Sequence, residues 1–191
     1  GQVDPWAWLN KLESEMQSED RDIVTLLIEN YVEPDHLKAI FDDVGLSDMM
    51  YVHEMNAEWP TLIEMINMEK RLVVFWEQSG DSSHPYFHDF LTHSWTTNYA
   101  DDDTSSMDCE KLRGDVDQPV FHMNNWLKNQ AGLSDPNRAG EANEVDFMVE
   151  RAIECIELHG KRPTFIAVDW WEEGDVVEAV ERVNMIELET D

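Results

Sequence analysis

The sequence predicts an α/β protein built on a mainly parallel sheet, an incomplete TIM-type (β/α) barrel. Three observations lead there. Four short, largely apolar runs, Ile23–Ile28, Arg71–Phe75, Pro119–Met123 and Thr164–Val168, read as strands buried on both faces. Amphipathic helical patterns lie between them, and such alternation implies crossover connections and a parallel sheet. No GxGxxG or GxxxxGK[ST] follows any of these runs, which argues against an open nucleotide-binding sheet. A complete barrel of this type needs about 250 residues and about eight strands. The 191 residues show four clear strands, a weaker one at Met50–His53, and a helix ahead of the first. They fit the C-terminal portion of one barrel domain, 1–191, lacking its first strands; a smaller open sheet is the alternative.

Each element has a local reason. Pro5–Gln17 reads as a helix with Asp4 at the N-cap and Pro5 at the first helical position. Trp6, Leu9, Leu12 and Met16 recur on one face at spacings of three and four. Asp35–Val44 is a short helix stopped by Gly45, and Trp59–Met68 is another with Pro60 near its start. Glu141–His159 is a long helix closed by Gly160, with Val145, Met148, Ala152 and Ile156 on one face. Asp175–Val183 is the last helix, its start marked by Gly174 and Asp175. Between Gln78 and Gln118 the chain has no sustained period and reads as a long irregular segment with a short helix near Tyr86–Thr92. Such segments either line a site or form a surface insertion.

Composition narrows the function classes. Forty-two acidic residues against thirteen Lys and Arg leave a net charge of −29. A field of that sign repels nucleic acid and anionic membranes, so no nucleic-acid partner is expected. No run approaches the roughly 20 apolar residues of a membrane span. The chain opens GQVDPWAWLN without an initiator Met, so its start does not assign a compartment. Cys109 and Cys155 are the two cysteines; they could form one bridge, and Cys155 on an apolar helix face reads equally as a buried free thiol.

Enzymes with parallel strands place their chemistry at the strands' C-terminal ends. That rule selects Glu29 and Asn30, Trp76 and Glu77, Asn124 and Asn125, and Asp169 with Trp170 and Trp171. A carboxylate straight after a buried apolar run is costly unless it is paired, hydrogen-bonded or metal-bound. Glu29 and Asp169 stand out on that ground, with a helix N-cap or a loop brace as the structural alternative. His122 falls within a strand and reads as a packed core histidine; His88 and His93 read as exposed loop residues. Asp101–Asp103 lacks the alternating ligand spacing of an EF-hand loop.

The same positions carry a family resemblance. TFIAVDWWEEGDVVEAVERVN resembles the last strand and helix of the phosphatidylinositol-specific phospholipase C-like phosphodiesterases. VTLLIENY is similar to a strand of that family running into Glu-Asn, and WPTLIEMINMEKRLVVFWE resembles the helix and strand that follow. DCEKLRG and VFHMNNWL resemble later segments, and together these pieces cover nearly the whole chain in order. The resemblance implies a distorted barrel that cleaves phosphodiesters, with a phosphodiester such as a glycerophosphodiester or a phospholipid head group as substrate. It implies that Asp169 orients a catalytic histidine, and that Glu29 with Asn30 ligates Ca²⁺ as in the metal-dependent branch. Trp170 and Asn124 are the expected substrate contacts, and secretion is the expected location. The family also uses two histidines, a base and an acid, on its first and third strands. None of the seven histidines, at 36, 53, 84, 88, 93, 122 and 159, falls at those positions, and Asn125 stands where many relatives have His. Two readings follow: part of a phosphodiesterase whose histidines lie elsewhere, or a non-catalytic relative that serves as a binding or structural module.

Overall fold

The computed structural model of the chain describes residues 4–29, 31–55, 57–77, 83–99 and 101–188. They divide into two compact units, Gly1–Phe90 and Leu91–Asp191. Both are α/β, with seven strands in two sheets and helices between them. Among the described residues no helix is long and apolar enough to cross a membrane.

The first unit opens with helix α1 (Pro5–Ser18), where the Asp4 side chain accepts from Trp6 N at 3.1 Å. Leu9 and Met16 are buried and Leu12 packs beside them, whereas Trp6 turns outward and donates its indole N–H to Asp43. Strand β1 (Val24–Ile28) follows, then α2 (Pro34–Val44), which buries Leu37, Ile40, Phe41 and Val44. That is the i, i+3, i+4, i+7 stripe of a helix lying on a core. Gly45 at φ 84° closes α2 in the left-handed conformation that glycine adopts without penalty. Helix α3 (Leu62–Asn67) is shorter than its periodicity suggests. It begins at Thr61, which with Glu64 forms a reciprocal capping box that satisfies two backbone donors.

Strand β2 (Leu72–Trp76) is buried throughout. It pairs in parallel with β1 along its whole length and with β3 (Phe87–Asp89) from Val74 to Trp76. Ahead of β3 the same edge of β2 is taken by Met50, bridged in parallel to Leu72, and by Tyr51, whose N–H reaches Leu72 O at 2.8 Å. The expected strand at Met50–His53 is thus reduced to a bridge, and one position in the sheet is shared by two segments. Arg71, just before β2, is buried. It donates to Glu19 O and Asp22 O (both 2.9 Å) and to Met16 O (2.6 Å), tying the end of α1 to the start of the strand.

A single helical turn, α4 (Phe90–His93), leads into the second sheet, ordered β5-β4-β6-β7. Its strands are β4 (Ser94–Thr97), β5 (Lys111–Gly114), β6 (Val120–Asn125) and β7 (Phe165–Val168). All neighbours are parallel except β4 and β5, which run antiparallel with a register shift at Thr96 and Thr97. The segment expected to be irregular from Gln78 to Gln118 therefore holds three strands and a short 3₁₀ turn at Thr104–Ser106; residues 78–82 and 100 lie outside the described ones. The three strands have three or four residues each and mix polar with apolar side chains, too short to set up a period.

The expected helix Glu141–His159 is two pieces, α5 (Ala139–Ala142) and α6 (Val145–His159). Between them Asn143 leaves the helical path and Glu144 caps α6, its carboxylate accepting from Phe147 N at 2.7 Å. One face of α6 packs Met148, Val149, Ala152 and Cys155 against Trp95, Phe121 and Met123 of the sheet, and Ala179 and Val183 of α7 (Val176–Asn184) join that core. Cys155 is not a free thiol. It is bonded to Cys109 with 5.1 Å between Cα atoms, pinning the segment before β5 to α6.

Candidate functional site

Strand alternation and the packing against α6 assign the two faces of the second sheet. Trp95, Phe121, Met123, Ile166 and Val168 belong to the core with α6 and α7. Thr96, His122, Asn124, Phe165 and Ala167 then face the other way, paired rung by rung. Arg113 pairs with Thr96 and shares that face. Asp169 follows β7 in the same parity, half-buried at the C-terminal end of a parallel strand. Its carboxylate has no hydrogen-bond partner among the described residues; its main-chain carbonyl does, from Asn143.

Asn143 is fully buried, and its Nδ2 meets three carbonyl oxygens: Asp169 O at 3.0 Å, Trp170 O at 3.2 Å and Glu173 O at 3.0 Å. Only a donor suits three converging carbonyls, so the environment fixes which end of the amide points there. Its Oδ1 is left buried without a partner among the described residues. Trp170 adopts φ 56°, and Glu173 N–H closes a tight turn onto Trp170 O at 2.8 Å. A left-handed backbone at a bulky residue costs about 1–2 kcal/mol and persists only where its surroundings impose it. The Trp170 indole donates to Ser134 Oγ at 3.0 Å, and 52% of the residue is open to solvent, so it is not core.

Asn124 is buried at the end of β6. Its Nδ2 donates to Thr97 O and its main-chain N–H to Thr97 Oγ1, both at 3.0 Å, so its amide nitrogen serves the sheet. Asn125 donates to Ala142 O at 2.7 Å and its Oδ1 accepts from Arg151. Arg151, 2% exposed, also donates to Asn124 O (2.6 Å), Asp108 O (2.9 Å) and Thr97 Oγ1 (3.5 Å), bracing the ends of β4 and β6. Burial lowers its pKa to about 10, which still leaves it cationic, with Asp101 and Asp108 favouring the charge. Sequence periodicity places Arg151 on a helix and gives no sign that it points inward.

In the first unit, Glu29 and Glu77 follow the adjacent parallel strands β1 and β2, whose last pair is Ile28 and Trp76. They line one open groove together with Trp8 and Leu26–Ile28. Asn30 lies outside the described residues. Carboxylate oxygens suit Ca²⁺, which takes about 6–8 oxygen ligands. No group of three or more His, Cys, Asp or Glu that could hold a metal is present among the described residues. The two glutamates do not by themselves make a Ca²⁺ site.

The histidines divide by environment. His88 and His93 are buried, not exposed as expected. His88 Nε2 accepts from His53 N at 2.9 Å while Nδ1 lies 3.0 Å from Val74 O and donates to it, which fixes a neutral ring. His53 stacks on Trp59 at 3.9 Å, and burial lowers its pKa. His122 is half-buried beside Phe165, and its pKa is pushed down to about 4, first by burial and then by the Arg113 charge.

The chain is a mostly parallel α/β protein with an acid at the end of β7. The family can be stated more closely. The family model described as PI-PLC X 1 matches residues 3–184, and the chain belongs to the PI-PLC X family. It is 28% identical over 199 residues to a protein of Arthroderma benhamiae named "PI-PLC X domain-containing protein 1", covering 93% of this chain and 64% of that one. It is 27% identical over 192 residues to an "Uncharacterized secreted protein" of the same fungus, covering 89% of this chain and 43% of that one. The chain thus spans 64% and 43% of the lengths of these two relatives. No solved structure matches it.

Proposed function

We propose that residues 1–191 are the C-terminal portion of one PLC-like phosphodiesterase barrel, with Asp169 as the carboxylate that orients a catalytic histidine. Family membership over residues 3–184 and the half-buried Asp169 carboxylate at the end of β7, without a hydrogen-bond partner among the described residues, support this reading. In the complete site one histidine takes the proton of an attacking hydroxyl or water as its oxygen bonds to phosphorus. A second histidine gives a proton to the leaving oxygen as the old P–O bond breaks. Asp169 accepts the N–H of one imidazole, fixes its tautomer and stabilises its charged form. Trp170, exposed beside Asp169, and Asn124 are the proposed head-group contacts. Glu29, with Asn30 and now Glu77, offers oxygen donors to a Ca²⁺ ion that further groups would have to complete.

The substrate class is a phosphodiester such as a phosphoinositide or glycerophosphodiester; the net charge of −29 disfavours a nucleic-acid polyanion. The Cys109–Cys155 bridge suits an oxidising compartment. With the relative named as secreted, it supports a location outside the cytoplasm. A second reading is a non-catalytic binding or structural module; the resemblance supports it, since it puts none of the seven histidines at the family's catalytic positions.

The test is turnover of a chromogenic phosphodiester by the full natural chain and its Asp169→Asn variant. We expect a loss of at least about a hundredfold with the thermal midpoint unchanged. The 191-residue chain alone should show no turnover. Equal activity in the variant would remove Asp169 from the site, and no activity in the full natural chain would favour the non-catalytic module.

A further inference from the structure

The turn that carries Asp169 is held by a residue that no strand-end rule selects. Periodicity runs a helix straight through Asn143, yet the helix stops at Ala142 and restarts at Val145. Neither proline nor glycine stands at residues 143 or 144 to break it. The interruption frees the Asn143 side chain from the helix face and sends it into the turn after β7. There its single NH₂ group serves three carbonyls, those of Asp169, Trp170 and Glu173. Two N–H bonds reach three acceptors, so one is shared, and the amide oxygen has no partner among the described residues. An amide that gives both of its N–H groups to three main-chain carbonyls acts there through its nitrogen.

Two further observations point the same way. Gly174, at φ 85°, is pressed against the Asn143 backbone so closely that an added Cβ would lie 2.4 Å from Asn143 O. The turn is therefore fitted to Asn143 by both its side chain and its main chain. The residue after Asp169 is also the left-handed Trp170, and strain of this kind gathers where a side chain must be aimed. Without the clamp, Trp170 would relax toward ordinary backbone angles and rotate the peptide that joins it to Asp169.

We propose that Asn143 is a positioning residue: by gripping the Asp169, Trp170 and Glu173 carbonyls it sets the direction of the Asp169 carboxylate. The proposal rests on the reading of Asp169 as the orienter of a histidine. It also implies that specificity or rate can be tuned from the α5–α6 break without touching substrate.

The experiment is a double-mutant cycle in the full natural chain, with pH profiles of kcat/KM on a chromogenic phosphodiester. Asn143→Ala should lower kcat by roughly ten- to a hundredfold and leave KM nearly unchanged. Its acidic limb should move to lower pH, as in Asp169→Asn, because a misdirected carboxylate no longer favours the imidazolium. In the Asp169→Asn background, Asn143→Ala should change neither rate nor limb. Asn143→Ser, which keeps one donor, should fall between wild type and alanine, and it carries the test if the alanine variant folds poorly. An unchanged acidic limb in the folded Asn143 variants, or losses that multiply across the two sites, overturns the positioning role while Asp169 stands. An unimpaired Asp169→Asn enzyme overturns both.

Discussion

Opening the Cys109–Cys155 bridge releases a loop closed across a sequence separation of 46 residues. The chain-entropy relation for a loop of that size gives about 14 cal/mol/K, or about 4 kcal/mol at 25 °C. Cys155 is fully buried and Cys109 nearly so, inside the cluster that contains Trp95, Phe121 and Met148. The two thiols left by reduction remain packed as small hydrophobes, so the loss is mainly that of the constraint on the unfolded chain. Domain stabilities are about 5–15 kcal/mol, which makes the bridge a large share of what holds this unit folded. With a urea slope of about 2 kcal/mol/M, the midpoint should fall by roughly 2 M. The assay is urea unfolding of the oxidised and reduced protein, followed by hydrogen exchange at amides of β6 and α6. A Cys109→Ala, Cys155→Ala double variant should match the reduced form. Oxidised and reduced midpoints within about 0.3 M at equal slope, against the roughly 2 M expected, would refute the reasoning.

Two other perturbations follow from single residues. Burial lowers the His122 pKa from 6.5 to about 4 in the folded chain, so as pH falls the unfolded chain takes the proton first. The stabilisation by the neutral ring is complete above pH 6.5 and is lost as pH drops from there toward 4, up to about 3 kcal/mol. Urea midpoints of wild type and His122→Gln should converge across that window; parallel pH curves would discount the shift. Gly114 sits at φ 78°, where an added Cβ would lie 2.2 Å from Ser94 O. Gly114→Ala should therefore pry β5 from β4 at a cost of about 3 kcal/mol, seen as a thermal midpoint lower by roughly 6–12 °C. A midpoint within about 2 °C of wild type would show that the strand pair absorbs the methyl group, since that corresponds to less than about 1 kcal/mol.

What the sequence made legible follows from how each element is stabilised. Strand β2 could be read because all five of its residues are buried, and α2 because Leu37, Ile40, Phe41 and Val44 form one stripe. Strands β3, β4 and β5 could not, since His88, Asp89, Ser94, Thr96 and Lys111 hide any apolar pattern in so few residues. They are strands because of what they pair with, which is tertiary information. Asp169 was visible as a polar residue straight after an apolar run. Asn143 and Arg151 were not, because each acts by reaching carbonyls on another element, and helical spacing says nothing of that. The cysteine pairing was open for the same reason: 46 residues separate the partners and only the fold brings them together. Glu77, on the strand beside Glu29, was a strand-end candidate whose company with Glu29 only the β1–β2 register reveals.

Arg71 bears on where the polypeptide can be cut. Its guanidinium holds the carbonyls of Met16, Glu19 and Asp22 from 49 to 55 residues away. An expression boundary drawn just before β1 would therefore do more than shed a peripheral helix. It would strand a buried cation at the mouth of the central strand, with its acceptors gone. For anyone trimming the protein toward a minimal crystallisable piece, the end of α1 and the β1–β2 pair belong together, and no usable cut lies between Met16 and Arg71.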